Sequence, residues 1–267
     1  LYRRYAEDFD GQLSPTINES LEDYDGETVF NTYETLVRDR ISGQLVAGSF
    51  FDLGDDTAAS ILGYFDPQLR SFSLGYYTML LEMQYCLDQG MRYYYPGYVV
   101  PGFPRFDYKL RLDKNREFYN LLTEEWEPYD QAWIDINGPT EIQRHALQAQ
   151  ADQLEIKGKR SEVFVYPLFE AGLYDVWNDD YVPYPYFYSL GSDTADNLII
   201  VAFDPKERQY FVLQCVHMVQ TQLLFNATYL NTFTDDNYFT DLLAIRSVLF
   251  RVDSLEVLVR ACEALPR

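Results

Sequence analysis

The spacing of apolar positions changes character several times in the first hundred residues. Glu34–Asp39 and Gln44–Asp52 are two extended runs around Ser42-Gly43 and predict a β-hairpin. Thr57–Phe65 predicts a third strand, small residues first and Ile61, Leu62, Tyr64 and Phe65 after them, ended by the turn pair Asp66-Pro67. From Gly75 to Gln89 the period lengthens. Leu74, Tyr77, Leu80, Leu81, Tyr85 and Leu87 recur at helical spacing, and Gly90 stops the helix they predict. Met91–Val100, rich in Tyr and Val, predicts a further strand. Before all of these, a helix is expected in part of the first forty residues, which open with Leu1-Tyr2-Arg3-Arg4-Tyr5 and run into an acidic stretch from Glu19 to Glu27.

Beyond Lys109 the pattern shifts. Asp113–Pro128 is charged and reads as a connection, whereas Pro139–Leu154 predicts an amphipathic helix with proline in its first turn. Glu162–Phe169, Leu198–Phe203 and Gln209–His217 read as strands, the last two joined as a hairpin by Asp204-Pro205-Lys206-Glu207. Val219–Phe233 fits strand and helix equally, and Asp241–Leu265 reads as a long helix ending at Pro266. The prolines of Tyr181–Tyr188 exclude a helix there, leaving a recognition surface, a lid or the cover of a core edge. No internal repeat or low-complexity tract is present.

Composition narrows the classes. The chain has 267 residues, 47% of them hydrophobic and 17% aromatic, enough for a substantial core and far from a disordered profile. Its longest apolar runs, such as Asn197–Phe203, are strand-sized, so no membrane-spanning helix is predicted. Three separated cysteines, Cys86, Cys215 and Cys262, spell neither a disulfide framework nor a zinc site, which points to a reducing, cytoplasmic setting. Leu1 in place of Met, with no charged-then-apolar leader after it, reads as a trimmed and untargeted start. His145 and His217 lie far apart without ligand spacing, and no metal is expected. The acidic pairs Asp179-Asp180 and Asp235-Asp236 lack calcium-loop spacing and read as solvated turns.

Charge is the stronger constraint. Forty-two acids against 21 bases leave a net charge of −21, which opposes a general nucleic-acid coat. One window departs from this trend: Arg92–Arg116 holds six bases (Arg92, Arg105, Lys109, Arg111, Lys114, Arg116) against Asp107 and Asp113. It is either a local anion site or a set of solvated bases.

Candidate chemistry gathers in and just before this window. Arg70-Ser71-Phe72-Ser73-Leu74-Gly75 lies between a predicted strand and a predicted helix, where unpaired backbone N–H groups and the helix dipole suit a phosphate. The small residues Ser73 and Gly75 let a ligand approach the backbone; a capping serine is the plainer reading of the same residues. The segment resembles Q/R-x-x-G-x-G/A, the pyrophosphate loop of GNAT-type acyltransferases, with Ser73 at the first glycine position.

A second set of residues narrows the family. Tyr94-Tyr95-Pro96-Gly97-Tyr98-Val99-Val100, followed by Pro104-Arg105-Phe106-Asp107-Tyr108-Lys109, resembles a signature of the arginyl- and leucyl-tRNA–protein transferases. That signature runs approximately Tyr-Tyr-x-x-Gly-Tyr, then Pro-Lys-Met-x-Tyr-Lys. The same family places an Arg-Ser-x-Ser-Leu-Gly segment before its helix, as Arg70–Gly75 does, and Tyr64-Phe65-Asp66-Pro67 and Leu1–Tyr5 are also similar. The resemblance covers roughly residues 1 to 112. It departs from the family at Arg105-Phe106, which replaces Lys-Met, and at Pro96; the family's Cys-rich amino-terminal module is expected either to be missing or to precede Leu1.

The resemblance implies a GNAT-like α/β acyltransferase core with a mixed sheet over residues 1–112. Residues 113–267 would be a mixed α+β extension of separate role. It implies transfer of an amino acid, arginine or leucine, from tRNA to the N-terminal amine of a protein in an N-degron pathway, with aminoacyl-tRNA as donor and no cofactor. Arg70 and the amides of Ser73, Leu74 and Gly75 would hold a phosphate or the terminal adenosine. Tyr95, Tyr98 and Tyr108 would line the acyl site or stack a base, and Arg105 and Lys109 would pair with tRNA phosphate or an acidic acceptor side chain. Expected partners are the aminoacyl-tRNA and a protein or peptide N-terminus, with neither membrane nor DNA. Two alternatives stay open: a GNAT enzyme using acyl-CoA, and a catalytically silent binding module that keeps the core.

Overall fold

In the computed structural model the chain divides into two compact units, Leu1–Lys114 and Asn115–Arg267. The structure describes residues 1–9, 13, 14, 16–21, 30–156, 162–173, 180–194, 197–218, 225 and 227–264. Most of the acidic stretch after Glu19 and the greater part of Val219–Phe233 lie outside them.

The first unit opens with helices α1 (Tyr2–Asp8) and α2 (Ile17–Leu21), then builds a four-stranded mixed sheet. Strands β1 (Asn31–Arg38), β2 (Leu45–Leu53) and β3 (Thr57–Phe65) are antiparallel neighbours. The β1–β2 turn is locked by Asp39, whose carboxylate accepts from the Ser42 amide at 2.7 Å and the Ile41 amide at 3.1 Å, with Gly43 at φ +72°. Those donors hold the Asp39 carboxyl below its ordinary range, the Ser42 amide contributing most. A 3₁₀ turn, Pro67–Phe72, leads into helix α3 (Leu74–Asp88), which crosses over to the short strand β4 (Tyr93–Tyr95), parallel to β3. Helix α3 ends on Gly90 at φ +73°, with the Met91 amide bonding back to the Cys86 carbonyl at 2.9 Å. Helix α4 (Pro104–Asp107) and the 3₁₀ turn Tyr108–Arg111 follow.

Strand β2 is buried through its middle because both sheet faces are covered. On one face Phe50 and Tyr64 pack with Tyr2 of α1; on the other, Phe51 and Ala58 pack with Cys86 of α3. Gly48 is required there, since a Cβ would meet the Tyr64 hydroxyl at 2.5 Å. The helix turns a different face inward from the one its largest residues suggest. Thr78, Met79, Glu82 and Cys86 are buried, whereas Tyr77, Leu80 and Leu87 are exposed. The predicted strand over Met91–Val100 shrinks to Tyr93–Tyr95 because Pro96 has no amide to donate and Gly97 turns the chain at φ +93°.

The second unit begins with a hairpin, β5 (Glu117–Asn120) and β6 (Glu125–Pro128), where a plain connection was expected. Asn120 and Glu127 tie its turn together through a 3.0 Å side-chain bond. Helices α5 (Gln131–Asn137) and α6 (Pro139–Ile156) lead to strand β7 (Val163–Val165), which is shorter than expected because the chain turns at Pro167. Helix α7 (Glu170–Leu173) precedes strands β8 (Tyr186–Thr194), β9 (Asn197–Asp204) and β10 (Gln209–Met218), and helix α8 (Ala227–Leu230) follows them. The run from Asp241 is no long helix. It is strand β11 (Leu242–Val252), then helix α9 (Leu255–Ala264). The β-branched and aromatic residues of Leu242–Val252 pair along all of β10, which outweighs their helical spacing.

The five-stranded sheet has the order β11-β10-β9-β8-β7. One face packs α6 and α9 around Leu147, Val201, Val212 and Leu258. Gln143 of α6 stitches helix to sheet, donating to the Phe203 carbonyl at 2.8 Å and accepting from the Tyr186 amide at 3.2 Å. The Tyr181–Tyr188 run covers core, with Tyr181, Val182, Phe187 and Tyr188 buried. All three cysteines are free and buried. Desolvation pushes the Cys215 thiol up to about 12.

Candidate functional site

Topology parts two neighbouring strands of the first unit. Strands β3 and β4 pair in parallel through Thr57–Ala59 and Tyr93–Tyr95, and the pairing stops at Ala59 opposite Tyr95. Beyond that rung β3 continues to Phe65 while the other chain turns away at Pro96-Gly97. Such a parting beyond the carboxyl ends of parallel strands is where open α/β sheets bind ligands.

The segment that enters α3 shapes one side of this region. Asp66 caps the 3₁₀ turn by accepting from the Gln68 amide at 3.1 Å. Ser73 then takes the left-handed conformation, φ +51° and ψ +44°, the conformation that favours glycine. In that geometry its hydroxyl makes no capping bond. The amides of Leu74, Gly75 and Tyr76 have no protein acceptor among the described residues. Gly75 lies against Phe65, where an added Cβ would come within 3.5 Å of the ring. Arg70 is held by Asp8 of α1 at 2.6 Å, both side chains half-exposed.

The second group of candidates comes together around Lys109. Its Nζ donates to the Tyr98 carbonyl at 3.1 Å and stands 5.3 Å from the Tyr98 ring centre and 6.0 Å from that of Tyr108. Gly97 makes room for it, since a Cβ there would lie 3.0 Å from Nζ. Phe106, buried, supports the Tyr98 ring at 5.4 Å. No carboxylate among the described residues reaches Lys109, and desolvation holds its ammonium below the ordinary lysine range. Asp107, next but one in the chain, keeps a buried carboxyl oxygen without a partner, and desolvation raises its pKa. Tyr76 of the first turn of α3 donates to the Arg111 carbonyl at 2.8 Å, which fixes the Lys109 turn beside the helix start. Tyr95 forms the last rung with Ala59. The side chain of Arg105 lies outside the described residues.

A third group was not predicted. Glu82 projects from α3 into the core with no exposure at all, a carboxyl in the buried row of an amphipathic helix. Tyr94 donates to its Oε2 at 2.6 Å. Ser49 of β2, 1% exposed, and Ser60 of β3 flank the same carboxyl. Oε1 of Glu82 and Oγ of Ser49 are both buried without a hydrogen-bond partner. Desolvation raises the Glu82 pKa, with the three hydroxyls acting the other way. The signal in the sequence was a glutamate four residues from Thr78 and four from Cys86, but the helix face it occupies is set by the sheet.

Among the described residues no helix is long and apolar enough to cross a membrane, and no cluster of His, Cys, Asp and Glu could hold a metal. His217 Nδ1 meets Asp241 at 3.4 Å, and His145 is exposed on α6 near Glu141.

Three antiparallel strands, a helical crossover and a parallel fourth strand that parts from its neighbour make the first unit an α/β domain of acyltransferase-like type. Residues 1–118 match the family model described as arginine-tRNA-protein transferase, C terminus. Curated relatives bear the name aspartate/glutamate leucyltransferase. The chain is 30% identical to one from Leptospira interrogans over 69 residues, 26% of this chain and 27% of the relative. It is 37% identical to one from Paracoccus denitrificans over 71 residues, 27% of this chain and 25% of the relative. It is 30% identical to one from Acinetobacter baumannii over 112 residues, 41% of this chain and 40% of the relative. The chain thus spans about a quarter to two fifths of the length of these relatives.

Proposed function

We propose that the chain is an aminoacyl-tRNA–protein transferase that moves an amino acid from the 3′ end of a tRNA to the N-terminal amine of a protein. The observation that carries this reading is the half-buried ammonium of Lys109, without a carboxylate partner, fixed beside a helix start whose first amides are free. Such a pairing suits an anion delivered by the substrate. The family description names arginine and the relatives' names leucine, so one of these is the residue transferred, and an N-terminal aspartate or glutamate is the acceptor the relatives suggest. The reaction belongs to a cytoplasmic N-degron pathway, on a GNAT-type core.

An aminoacyl ester is already activated, so the protein must position the amine and manage protons. The amides of Leu74 and Gly75 and the Lys109 ammonium hold the donor's phosphate. The Asp8–Arg70 pair is exposed and weak enough to exchange for a phosphate. Tyr95 and Tyr98 flank the point where β3 and β4 part, where they stack the terminal base or orient the amine. The experiment is a transfer assay with leucyl- and arginyl-tRNA and peptides beginning with Asp or Glu. Labelled amino acid on the peptide supports the reading; tight binding of acetyl-CoA with no transfer from either tRNA overturns it in favour of an acyl-CoA enzyme, and binding of neither donor favours a silent module.

A further inference from the structure

A buried polar cluster centred on Glu82 lies between α3 and the sheet. Replacing a buried charge-bearing group by an apolar one of similar size is commonly neutral or stabilising. Glu82 nevertheless sits fully buried with one oxygen unpartnered, against an equally buried and unpartnered Ser49 hydroxyl. Its position is informative. Tyr94 immediately precedes Tyr95, the last paired residue of β4, and Ser60 immediately follows Ala59, the last residue of β3 that pairs with β4. The two hydroxyls that flank the carboxyl therefore belong to residues at the point where the strands part, and both residues are half-buried.

We propose that Glu82, acting through the phenol of Tyr94, takes up the proton that the acceptor amine must lose before it attacks. The inference rests on the transferase reading. The acceptor's ammonium gives one proton to the Tyr94 oxygen while the phenol passes its own to Oε2 of Glu82. The neutral amine then bonds to the ester carbonyl carbon, the bond from that carbon to the ribose oxygen breaks, and the second N–H proton goes to the ribose oxygen. Glu82 returns its proton to solvent by the same path after product leaves. Burial raises the carboxyl above its ordinary value, which makes it a stronger base than a solvated glutamate. The groups that face it are Cys86 from α3, Ser49 from β2, Ser60 from β3 and Tyr94 from β4. None is cationic, and the hydroxyls of Ser49, Tyr94 and Ser60 offset only part of the effect of burial.

The test is the pH–rate profile of transfer from charged tRNA to peptide by the full chain and by Glu82→Gln, Glu82→Asp and Tyr94→Phe. Glu82→Gln keeps the acceptor for Tyr94 and cannot take a proton. It is expected to lower kcat about 100-fold or more near neutral pH, to leave KM for charged tRNA within about twofold, and to lose most of its deficit as rising pH deprotonates the amine unaided. Glu82→Asp is expected to restore part of the rate and the acid limb of the profile, and Tyr94→Phe to behave as a milder Glu82→Gln. A wild-type chain that transfers nothing overturns the parent reading. A wild-type chain that transfers while folded Glu82→Gln matches it in rate and profile overturns this inference alone. Should Glu82→Gln fail to fold, Tyr94→Phe decides by the same criterion; failure of both to fold assigns the cluster to structure and also overturns it.

Discussion

Replacing Glu82 by glutamine should stabilise the first unit, and increasingly so as pH rises. The native state holds the Glu82 proton more tightly than the unfolded chain does, because burial disfavours the carboxylate. Between the ordinary carboxylate range and the raised native value, the folded protein binds more protons than the unfolded one. Stability therefore falls with rising pH there, by up to about 1.4 kcal/mol per pH unit for one such group. Glutamine cannot ionise and removes that slope. It also supplies a donor: with Oε1 still accepting from Tyr94, the amide nitrogen lies where Glu82 Oε1 and Ser49 Oγ are left unpartnered, and a new bond there adds about 1 kcal/mol. The expected result is a gain of about 1 kcal/mol from the added bond at low pH, growing as pH rises through the ordinary carboxylate range and levelling off above the raised native value, with roughly 4 °C per kcal/mol for a unit of this size. Calorimetry across pH is the assay, because a chain of two units can unfold in two transitions and only one should move. A variant that is less stable than wild type at pH 8, or whose stability keeps the wild-type pH slope, would show that burial does not raise the Glu82 carboxyl.

Lys109→Met should weaken donor binding at least tenfold while leaving thermal stability at neutral pH equal or higher, since the ammonium it removes is half-buried without a carboxylate; binding titrations and melting curves check both. Native Lys109 binds its proton less tightly than unfolded Lys109, so the wild type should gain stability as pH rises from the lowered native value toward 10.5, and the Met variant should not. Ser73→Val places a β-branched residue at φ +51° and should cost about 1–2 kcal/mol, whereas Ser73→Gly should cost little, as read by denaturant unfolding. Asp8→Asn releases Arg70 from an exposed ion pair, so it should change stability by no more than about 1 kcal/mol and tighten binding of charged tRNA, most clearly at low salt.

The early strands were legible because their turns are written in local chemistry: Asp39 to Gly43 closes one hairpin, and Asp66-Pro67 ends the next strand. Helix α3 was legible in extent but not in orientation. Its large apolar residues mark a periodicity, yet the sheet accepts Thr78, Glu82 and Cys86 between its side chains and leaves Leu87 outside. The long run after Asp241 misled because Leu, Val, Ile and Phe at mixed spacing satisfy a helix or a strand, and only pairing with β10 separates them. Within the candidate site, Tyr98, Tyr108 and Lys109 were readable together because they lie within a dozen residues and a glycine lets the chain double back. Arg70's tie to Asp8 joins residues 62 apart and depends on where α1 packs. Glu82 is the same kind of case: its burial follows from register across three strands.

The most direct measurement is the mass of an acceptor peptide after incubation with the full chain and charged tRNA. A gain of one arginine or leucine residue at the peptide's α-amine, abolished when the tRNA is uncharged, is the predicted result. A peptide of unchanged mass with every charged tRNA offered, or one acetylated from acetyl-CoA instead, would contradict the account.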